Sequence, residues 1–459
     1  MKNIKYFLLA LLLASGISGF AQKGKKPNIV LIFCDDLGYG DLGVYGHPTI
    51  ATPNLDRLAF EGQKWTSFYA SAPVCTPSRA GLVTGRLAVR SGMASENRRV
   101  LFPDSGGGLP QEEISIARQL KKGGYATGII GKWHLGHLPE HTPIAHGFDY
   151  YFGIPYSNDM DRIKDGEYFS TVKEAEPEYF NVPLIRNTEE IERPANQRTI
   201  TKRYTEEAVK FIENHKKEPF FLYLAHSMPH VPLFPSEEFE GKSSRGVYGD
   251  VVEEIDWSVG EVIRSLKKNR LDENTLVIFT SDNGPWLIFE EQGGSAGLLK
   301  GGKGGTYEGG MREPAIFWWP GKIQPSVVQG QGSTLDFFPT FSALAGIALP
   351  DDRLYDGFDI SGALFGKGKS PRDVTFYYRD EEVYAVRKGD YKVHFITREA
   401  YARNKDKTIH NPPLLFNISH DPSERVNVAA KHPELIAEFE SLLEKHKRTV
   451  KPVENQLEK

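Results

Sequence analysis

The chain has 459 residues, a formal net charge of −4 and a charged fraction of 25%. Hydrophobic residues make up 39%, which is enough for a large buried core and excludes a mainly disordered chain. The charge balance supplies no basic footprint for nucleic acid or for an anionic membrane surface. We therefore expect two domains, or one large α/β domain with an appendage.

The first 21 residues have the pattern of a signal peptide. Lys2 and Lys5 begin it, the apolar run "YFLLALLLA" follows, and Gly19 and Ala21 are the small residues expected before cleavage at Gln22. The apolar run is too short to span a bilayer, which makes an uncleaved anchor the weaker alternative. No membrane anchor is therefore expected, and we predict an exported protein, periplasmic or secreted.

Apolar runs that alternate with helical stretches predict an α/β fold. Near-continuous apolar strands belong inside a mostly parallel sheet with helices on both faces. Helices are predicted at 52–63, 111–124 and about 246–268. The alternation indicates a doubly wound domain, a large mostly parallel sheet sandwiched by helices. The predicted strands are 28–34, 126–133, 219–226, 274–282 and 314–320.

The pattern changes after residue 371. Short strands with the antiparallel character of hairpins are predicted at 374–379, 382–396 and 414–419, with "KGD" as a turn. The stretch 432–450 reads as one amphipathic closing helix. We expect a catalytic α/β domain at 22–369 and a small α+β subdomain at 370–459.

Polar side chains follow the predicted strands at the point where each strand ends. In open α/β sheets, ligands collect at the carboxyl ends of the strands, so these side chains are expected to meet. Each alone is weak evidence, because such residues are common in turns and caps. His226 is expected to be a packed strand-end histidine. The other members are Asp35, Asp36, Lys132, His134, His230, Asp282, Asn283 and, in a glycine-rich loop, Lys303.

The residue types indicate one chemistry. Asp35, Asp36, Asp282 and Asn283 offer hard oxygen ligands, which suit Ca²⁺ or Mg²⁺ rather than a thiolate- or imidazole-preferring metal. A dication next to a ring of cations is suited to a tetrahedral oxyanion, and both sulfate and phosphate esters fit. The ring of proton donors and positive charges consists of Arg79, Lys132, His134, His230 and Lys303.

Two cysteines are present, Cys34 and Cys75. In an oxidising compartment a disulfide between them is possible, and the spacing permits it. Cys34 lies in an apolar run that is typical of a buried strand, where a lone cysteine acts as a small hydrophobe. Cys75 is predicted to lie in a polar turn. The residues alone leave the pairing open.

The stretch "CTPSR" at 75–79 resembles the sulfatase signature, Cys-x-Pro-x-Arg, and "LVTGR" resembles its extension. The resemblance covers nearly all of the mature chain. It is similar to the arylsulfatase and N-acetylgalactosamine-6-sulfatase branch of that family. The other matching motifs are "PNIVLIFCDDLGYGDLGVYG", "TPNLDRLAFEG", "GKWHLGH", "HGFDYYFGIPYS", "SDNG" and "EGGMREPA".

The resemblance implies an alkaline-phosphatase-like fold and a modified nucleophile. In sulfatases the signature cysteine is oxidised after synthesis to Cα-formylglycine, an aldehyde, so a sulfatase-maturating enzyme is an implied partner. The family also binds one Ca²⁺. Its ligands correspond to Asp35, Asp36, Asp282 and Asn283, with the modified Cys75 as a further contact.

The resemblance also implies a mechanism. One hydroxyl of the hydrated aldehyde attacks sulfur and displaces the alcohol, and the second then loses its proton so that sulfate is expelled. His134 corresponds to the base of the second step, whereas His230, with Lys303, corresponds to groups that assist the departing alcohol. Lys132 corresponds to a sulfate-binding residue, and Arg79 to the residue that fixes the formylglycine.

Other classes stay open at this point. A phosphatase or phosphonate ester hydrolase of the same superfamily needs similar cations, and some phosphonate hydrolases also use formylglycine. The cysteine signature and the oxygen-only metal set favour the sulfatase. A catalytically inactive glycan-binding relative would lack Cys75 or several charged residues, and none is missing.

The expected substrate is a sulfated carbohydrate. We predict an exo-acting enzyme that removes one O-sulfate from galactose or N-acetylgalactosamine. Two loops are expected to wall the cation cluster and leave a pocket for a terminal sugar. Tyr156 and Trp286 are predicted to stack on the sugar ring, while Asp159, Asp161 and Arg162 bind its hydroxyls.

Overall fold

The computed structural model describes residues 25–401 and 406–459. The predicted signal peptide at 1–21 lies outside these residues. Within the described ranges, no helix combines the length and the apolar character that a membrane span requires.

Ten strands form one mixed, mostly parallel sheet, in the order β10-β2-β9-β8-β1-β7-β3-β4-β5-β6. The central strands β8, β1, β7 and β3 run parallel to one another. This confirms the predicted fold class. The strands are β1 Asn28–Cys34, β2 Gln63–Tyr69, β3 Ala126–Gly131, β4 Tyr150–Gly153, β5 Leu184–Arg186, β6 Glu189–Glu192, β7 Phe220–Ala225, β8 Thr275–Ser281, β9 Arg312–Trp318 and β10 Ser326–Ser333.

Strand β9, predicted at 314–320 as part of the parallel sheet, departs from that expectation. It runs antiparallel to both of its neighbours, β8 and β2. An apolar run reports burial on both faces of a strand but carries no information on strand direction. Strands β2, β4, β5, β6 and β10 are additional to the predicted set.

Ten α-helices accompany the sheets within the described residues. The helices predicted at 52–63 and about 246–268 are confirmed as α1 and α6, whereas that predicted at 111–124 is confined to α3, Ile116–Lys121. Helices α2, α4, α5, α7, α8 and α9 are additional to the predicted set. The helices are α1 Pro53–Glu61, α2 Cys75–Thr84, α3 Ile116–Lys121, α4 Tyr168–Lys173, α5 Ile200–Asn214, α6 Val247–Lys268, α7 Glu308–Met311, α8 Phe337–Ala345, α9 Ser361–Leu364 and α10 Pro433–Lys447.

Each face of the large sheet is covered by helices. Strand β1 shows why its sequence is apolar at every position: Ile29 and Leu31 pack into the core on one side, and Val30 and Ile32 into the core on the other. Both faces of the strand are therefore dry, and successive side chains point to opposite faces. The carboxyl end of β1, at Cys34, lies in the middle of the sheet edge.

A second, four-stranded sheet is antiparallel, in the order β11-β12-β13-β14. Helix α10 buries Phe439 and Leu443 against it, next to Val386 and Leu415. The predicted strands and closing helix of this region are confirmed. The strands are β11 Val374–Arg379, β12 Glu382–Lys388, β13 Tyr391–Thr397 and β14 Thr408–Asn417.

Candidate active site

Six charged side chains form one buried network at the carboxyl ends of the central strands. The ammonium of Lys132 lies 2.5 Å from Asp35, and that of Lys303 lies 2.7 Å from Asp36. Three carboxylates thus face three cations, and all six side chains are buried. We call this network the edge cluster, and it consists of Asp35, Asp36, Arg79, Lys132, Asp282 and Lys303.

Cys75 is the first residue of α2, and its thiol is 3.4 Å from the Asp35 carboxylate. The predicted polar turn is therefore wrong, since Cys75 is helical and only 2% exposed. The reason is that the preceding Val74 is extended and its carbonyl accepts the amide of Ser78, so the helix starts at the cysteine. Both cysteines, Cys34 and Cys75, are free thiols.

Arg79 lies one turn after Cys75 on the same helix, so both side chains face the edge cluster. Its guanidinium contacts Asp282 at 2.8 Å and donates to the Lys132 carbonyl at 3.0 Å. Burial by itself would lower the pKa of Arg79, but Asp282 and Asp35 raise it above its ordinary value. Arg79 is therefore a permanent charge that ties α2 to β8.

The two adjacent aspartates differ in their electrostatics. Burial alone would raise the pKa of Asp35, but the charges of Lys132 and Arg79 hold it well below its ordinary value. Burial raises the pKa of Asp36 to about 7, and repulsion from Asp35 adds to this, although Lys303 acts against it. An additional positive charge near Asp36 would stabilise its ionised form.

Oxygen donors at the edge cluster fit a hard cation. Asp35 and Asp36 each offer an oxygen within 4.8 Å of one another and of ligand atoms from Cys75 and His230. The amide nitrogen of Asn283 donates to Asp36 at 2.7 Å and to the Gly284 carbonyl at 3.0 Å. That pairing orients the amide, and its buried oxygen has no partner among the described residues. An unpaired buried oxygen beside carboxylates suits Ca²⁺ or Mg²⁺.

Asp282, the fourth predicted ligand, is held differently from Asp35 and Asp36. One of its oxygens accepts from Arg79 at 2.9 Å and the other accepts the Asp36 amide at 3.1 Å. It does not belong to the group of side chains within 4.8 Å of one another. In this arrangement Asp282 fixes the backbone of Asp36 and balances the charge of Arg79.

His134 presents one free ring nitrogen. Its Nε2 lies 2.9 Å from the Leu101 carbonyl, which only accepts, so Nε2 carries the proton of the neutral ring. Burial lowers the pKa of His134 well below its ordinary value, and Lys132 lowers it further. The buried Nδ1 has no partner among the described residues. His134 is thus a neutral imidazole with an available lone pair.

His230 lies opposite, with its Nδ1 2.5 Å from the Val231 carbonyl. Its Nε2 is 3.3 Å from the hydroxyl of Ser157 and 3.6 Å from Asp36. Burial lowers the pKa of His230 well below its ordinary value, and Lys303 adds to this. The ring is therefore neutral, and its Nε2 accepts a hydrogen bond.

Ser157, which is absent from the predicted site, links two of its members. Lys132 donates to the Ser157 hydroxyl at 3.0 Å, and that hydroxyl is placed to donate to Nε2 of His230. Ser157 lies in the loop that contains Asp159 and Asp161. A single serine in a loop has no signal of its own in one sequence, because serine is common in turns.

Two functional positions have strained backbones. Asp36 has φ of 63° and His134 has φ of 62°, in the left-handed region that residues with a side chain rarely adopt. Both side chains are anchored, Asp36 by Lys303 and Asn283, and His134 by Leu101. Such strain persists only where the surrounding contacts over-determine the conformation, and it concentrates at functional sites.

A cavity of about 410 Å³ opens onto the edge cluster. This volume is in the range of pockets that hold small ligands. The ammonium of Lys303 lies 4.1 Å from the centre of the Trp286 ring, which places a charge against an aromatic wall. The lining residues are Val74, Cys75, Arg99, Val100, Phe102, Pro103, His134, Ser157, Asp159, Met160, Asp161, Arg162, Tyr168, His230, Trp286, Lys303 and Tyr401.

Four of the five residues predicted to bind the sugar line this cavity: Asp159, Asp161, Arg162 and Trp286. Two of them have buried atoms without partners among the described residues, Oδ1 of Asp159 and Nε1 of Trp286. Tyr156 lies elsewhere, in the wall of a neighbouring cavity of about 300 Å³. Its hydroxyl donates to Asp161 at 2.7 Å, so its ring supports the loop from behind.

His226 has a packing role. It is fully buried at the end of β7, and its Nε2 lies 3.3 Å from the hydroxyl of Ser258 on α6. Burial lowers its pKa to about 3. It does not line the cavity that contains Cys75.

Comparison with known proteins identifies the family. Residues 27–347 match the family model described as Sulfatase, and residues 370–459 match that described as C-terminal region of aryl-sulfatase. The chain is 44% identical to human arylsulfatase A, over 95% of this chain and 89% of that protein. It is 40% identical to human N-acetylgalactosamine-6-sulfatase, over 96% of this chain and 89% of that protein.

A solved structure shares the fold. The PsFucS1 sulfatase from Pseudoalteromonas sp. superposes with a TM-score of 0.83 at 32% identity, over 95% of this chain and 93% of that one. The match therefore includes both the ten-stranded and the four-stranded sheet. The chain belongs to the sulfatase family and is a sulfuric ester hydrolase.

Proposed function

We propose that this chain is an exported, exo-acting carbohydrate sulfatase that removes one O-sulfate from galactose or N-acetylgalactosamine. The observation that carries the proposal is the position of Cys75, 3.4 Å from Asp35 in a cavity that also holds Lys303 and two neutral histidines. The similarity to N-acetylgalactosamine-6-sulfatase supports the choice of sugar.

The proposed nucleophile is a formylglycine made from Cys75 by a sulfatase-maturating enzyme. Burial raises the pKa of the Cys75 thiol well above its ordinary value, although Lys132 and Lys303 act in the opposite direction. The unmodified thiol is therefore protonated at neutral pH and a weak nucleophile. The hydrated aldehyde provides hydroxyls at this position, one to attack sulfur and one to release sulfate afterwards.

The proposed calcium ligands are the oxygens of Asp35, Asp36, Asp282 and Asn283, with residue 75 as a further contact. The edge cluster balances three carboxylates with three cations, so an added dication leaves it with positive charge for a sulfate ester. When bound, such an ion lowers the pKa of a neighbouring hydroxyl. The unpartnered oxygen of Asn283 supports this assignment.

The proposed proton transfers use the two histidines and Lys303. His134 has a free Nδ1, which is suited to take the proton from the second hydroxyl at residue 75. On the other side, His230 and Lys303 both approach Asp36, at 3.6 Å and 2.7 Å. We assign both to the departing alcohol. Burial alone would lower the pKa of Lys303, but Asp36 raises it well above its ordinary value, so the ammonium is the group that holds a proton there. The neutral His230 carries no proton on Nε2 and acts as an acceptor beside it. Lys132 is assigned to a sulfate oxygen.

The shape of the cavity supports exo action. A volume of about 410 Å³ accommodates a terminal sugar with its sulfate, whereas a chain interior requires an open cleft. Asp159 and Trp286 line the cavity, and each has a buried polar atom without a partner among the described residues, Oδ1 and Nε1. Asp161 and Arg162 complete the polar part of the wall.

Two further features belong to this proposal. The segment 1–21 serves as an export signal, so that the mature enzyme acts in the periplasm or outside the cell. The catalytic domain comprises residues 22–369 and the C-terminal subdomain residues 370–459.

A release assay on defined glycans tests the proposal. Short oligosaccharides with one sulfate on galactose, N-acetylgalactosamine, glucosamine or fucose, at the chain end or in the interior, are incubated with the enzyme. We expect fastest release from terminal galactose or N-acetylgalactosamine. Preference for glucosamine or fucose, or rapid attack on interior sulfates, would overturn the substrate assignment. Matched aryl sulfate and aryl phosphate measure the preference for sulfur over phosphorus.

A further inference from the structure

Tyr401 reaches the catalytic cavity from outside the ten-stranded sheet. It follows β13 of the four-stranded sheet, yet it lines the same cavity as Cys75 and Lys303. The wall of the cavity is therefore built from two regions of the chain, and the C-terminal region contributes an aromatic residue directly.

Two arginines hold the segment that carries Tyr401. Arg379, which is 3% exposed, donates to the carbonyls of Arg398, Glu399 and Ala400 at 3.0–3.2 Å. Arg99 donates to the Ala400 carbonyl at 3.1 Å. With its other nitrogen Arg99 donates to the Gly304 carbonyl, next to Lys303, at 3.2 Å. The C-terminal segment and the lysine loop are thus fixed to one guanidinium.

The ring of Tyr401 continues the aromatic wall formed by Trp286. The two ring centres are 5.8 Å apart at an interplanar angle of 33°, and the Arg99 guanidinium lies 5.4 Å from the Tyr401 ring. Because both rings line the cavity, they add apolar surface to its wall. The Lys303 ammonium lies 4.1 Å from the centre of the Trp286 ring.

The hydroxyl of Tyr401 is available to a ligand. No hydrogen bond engages it among the residues that the structure describes. Burial raises the pKa of the phenol above its ordinary value, although Lys303 and Arg99 lower it, so the hydroxyl is a donor at neutral pH. Its position beside the reaction centre follows from the cavity, which Tyr401 lines together with Cys75 and Lys303.

We propose that Tyr401 is a substrate-contacting residue: its ring packs against the sugar, and its hydroxyl donates a hydrogen bond to an oxygen of the sugar next to the sulfated carbon. The inference rests on the proposed function for the identity of the sugar. The contact with the organic part of the ester does not depend on which sugar it is. Arg99 is a positioning residue, because it holds both Tyr401 and the Lys303 loop.

Two variants and two readouts test this. Y401A removes ring and hydroxyl, and Y401F removes the hydroxyl alone. We expect Y401A to lower kcat/KM by at least about 10-fold for the best ester in a panel of sulfated sugars and 4-nitrophenyl sulfate. Y401F should recover activity on 4-nitrophenyl sulfate but not on the sulfated sugar. Inorganic sulfate occupies only the sulfate site, so its inhibition constant should stay within about twofold of wild type in both Y401A and Y401F.

A matched control is Y391F, which removes a tyrosine hydroxyl in β13 away from the cavity and should leave all constants unchanged. The proposal is overturned if Y401A leaves kcat/KM within about twofold of wild type for every ester, because the loss of a residue that contacts the substrate must change kcat/KM. It is also overturned if sulfate inhibition weakens in parallel, since Tyr401 would then act on Lys303 rather than on substrate. A wild-type enzyme that cleaves only the aryl ester contradicts the proposed sugar function but still reports on Tyr401.

Discussion

Two buried charge networks among the described residues differ in whether a cavity adjoins them. The edge cluster opens onto a cavity, and beside it Asn283 Oδ1 and His134 Nδ1 have no partner among the described residues. The second network joins the two sheets, and we call it the interdomain cluster. It consists of Glu308, Arg312, Arg387, Lys392, His394 and Glu424.

In the interdomain cluster, the carboxylates are saturated by protein partners. Glu308 accepts from Tyr69 and Tyr377 at 2.7 Å each and from Lys392 at 3.0 Å. Glu424 accepts from His394 at 2.6 Å and from the Glu308 amide at 2.7 Å. No member of this cluster lines the cavity that contains Cys75.

The difference shows that buried charge alone does not mark a catalytic centre. Both networks consist of largely buried side chains, and both perturb pKa values. The pKa of Glu308, which burial by itself would raise, is lowered far below its ordinary value by Lys392, Arg387 and Arg312. The interdomain cluster also contains an unpartnered buried nitrogen, Nδ1 of His394, and a residue with positive φ, Glu424 at 50°. What distinguishes the edge cluster is that its unpaired polar atoms and strained backbone adjoin a cavity. The interdomain cluster holds the two sheets together.

The largest expected effect separates the two cysteines. C75A should lower kcat by at least about 10⁴-fold, because it removes the nucleophile and not merely a contact. C34A changes a buried strand residue that faces the core, and activity should persist. Initial rates with 4-nitrophenyl sulfate at equal protein concentration provide the measurement. Comparable activity of C75A and wild type would contradict the assignment of residue 75.

Next in size is the contrast between two buried lysines. K303M should lower kcat by about 10²–10³-fold, because it removes charge stabilisation at the departing oxygen. K392M should leave kcat/KM nearly unchanged under conditions in which the variant is folded. Its free energy of unfolding should fall by about 3–5 kcal/mol, because Glu308 and Glu424 lose the cation that they share.

The two lysine variants are compared by steady-state kinetics and by urea denaturation, each with added Ca²⁺. The comparison of the two clusters fails if K392M loses activity as severely as K303M while remaining folded. It also fails if K303M is the less stable of the two.

Metal removal should affect only the edge cluster. A chelator should lower activity and also stability, by about 2–3 kcal/mol relative to enzyme at Ca²⁺ concentrations near 100 times the dissociation constant. N283A should reduce this calcium-dependent stabilisation, because it removes the unpaired oxygen. Thermal unfolding with and without Ca²⁺ measures the difference, and E308Q is the matched control that should retain it. A stability of wild type that is independent of Ca²⁺ would contradict the metal assignment.

The smallest effect concerns His226, a buried histidine outside both clusters. Its folded-state pKa of about 3 lies below the unfolded value of about 6.5, so its contribution to stability is present above pH 6.5 and is lost progressively as pH falls towards 3. Between pH 7 and pH 5 the loss amounts to about 2 kcal/mol. In H226Q the free energy of unfolding should fall correspondingly less over this range.

Urea denaturation at several pH values measures the His226 effect. The exposed His420 provides the control, and H420Q should follow the wild-type pH dependence. An H226Q variant with the same pH dependence as wild type would show that His226 titrates normally in the folded protein.

Most of the fold follows from local sequence patterns. The apolar run of β1 and the helix of α6 are readable because burial on two faces and 3.6-residue periodicity leave direct signals. The direction of β9 leaves no signal in the sequence, because an antiparallel strand buried on both faces has the same composition as a parallel one. The helical start at Cys75 was hidden by the proline and serine that follow it, residues typical of turns and equally of a helix's first turn.

The candidate site divides in the same way. Strand ends identify Asp35 and Lys132, because chemistry in open α/β sheets gathers at that edge. Ser157 and Tyr401 have no such marker, since each depends on the three-dimensional path of a loop. Tyr401 is 326 positions from Cys75 along the chain. Only the packing of the four-stranded sheet against the large one brings it to the cavity.

The central claim is that turnover depends on an aldehyde at residue 75. The most direct measurement compares kcat for 4-nitrophenyl sulfate with the fraction of formylglycine in the peptide 71–86, quantified by mass spectrometry in preparations matured to different extents. The account predicts that kcat rises in proportion to that fraction and extrapolates to zero at zero aldehyde. Full activity in a preparation whose residue 75 is entirely a thiol would contradict it.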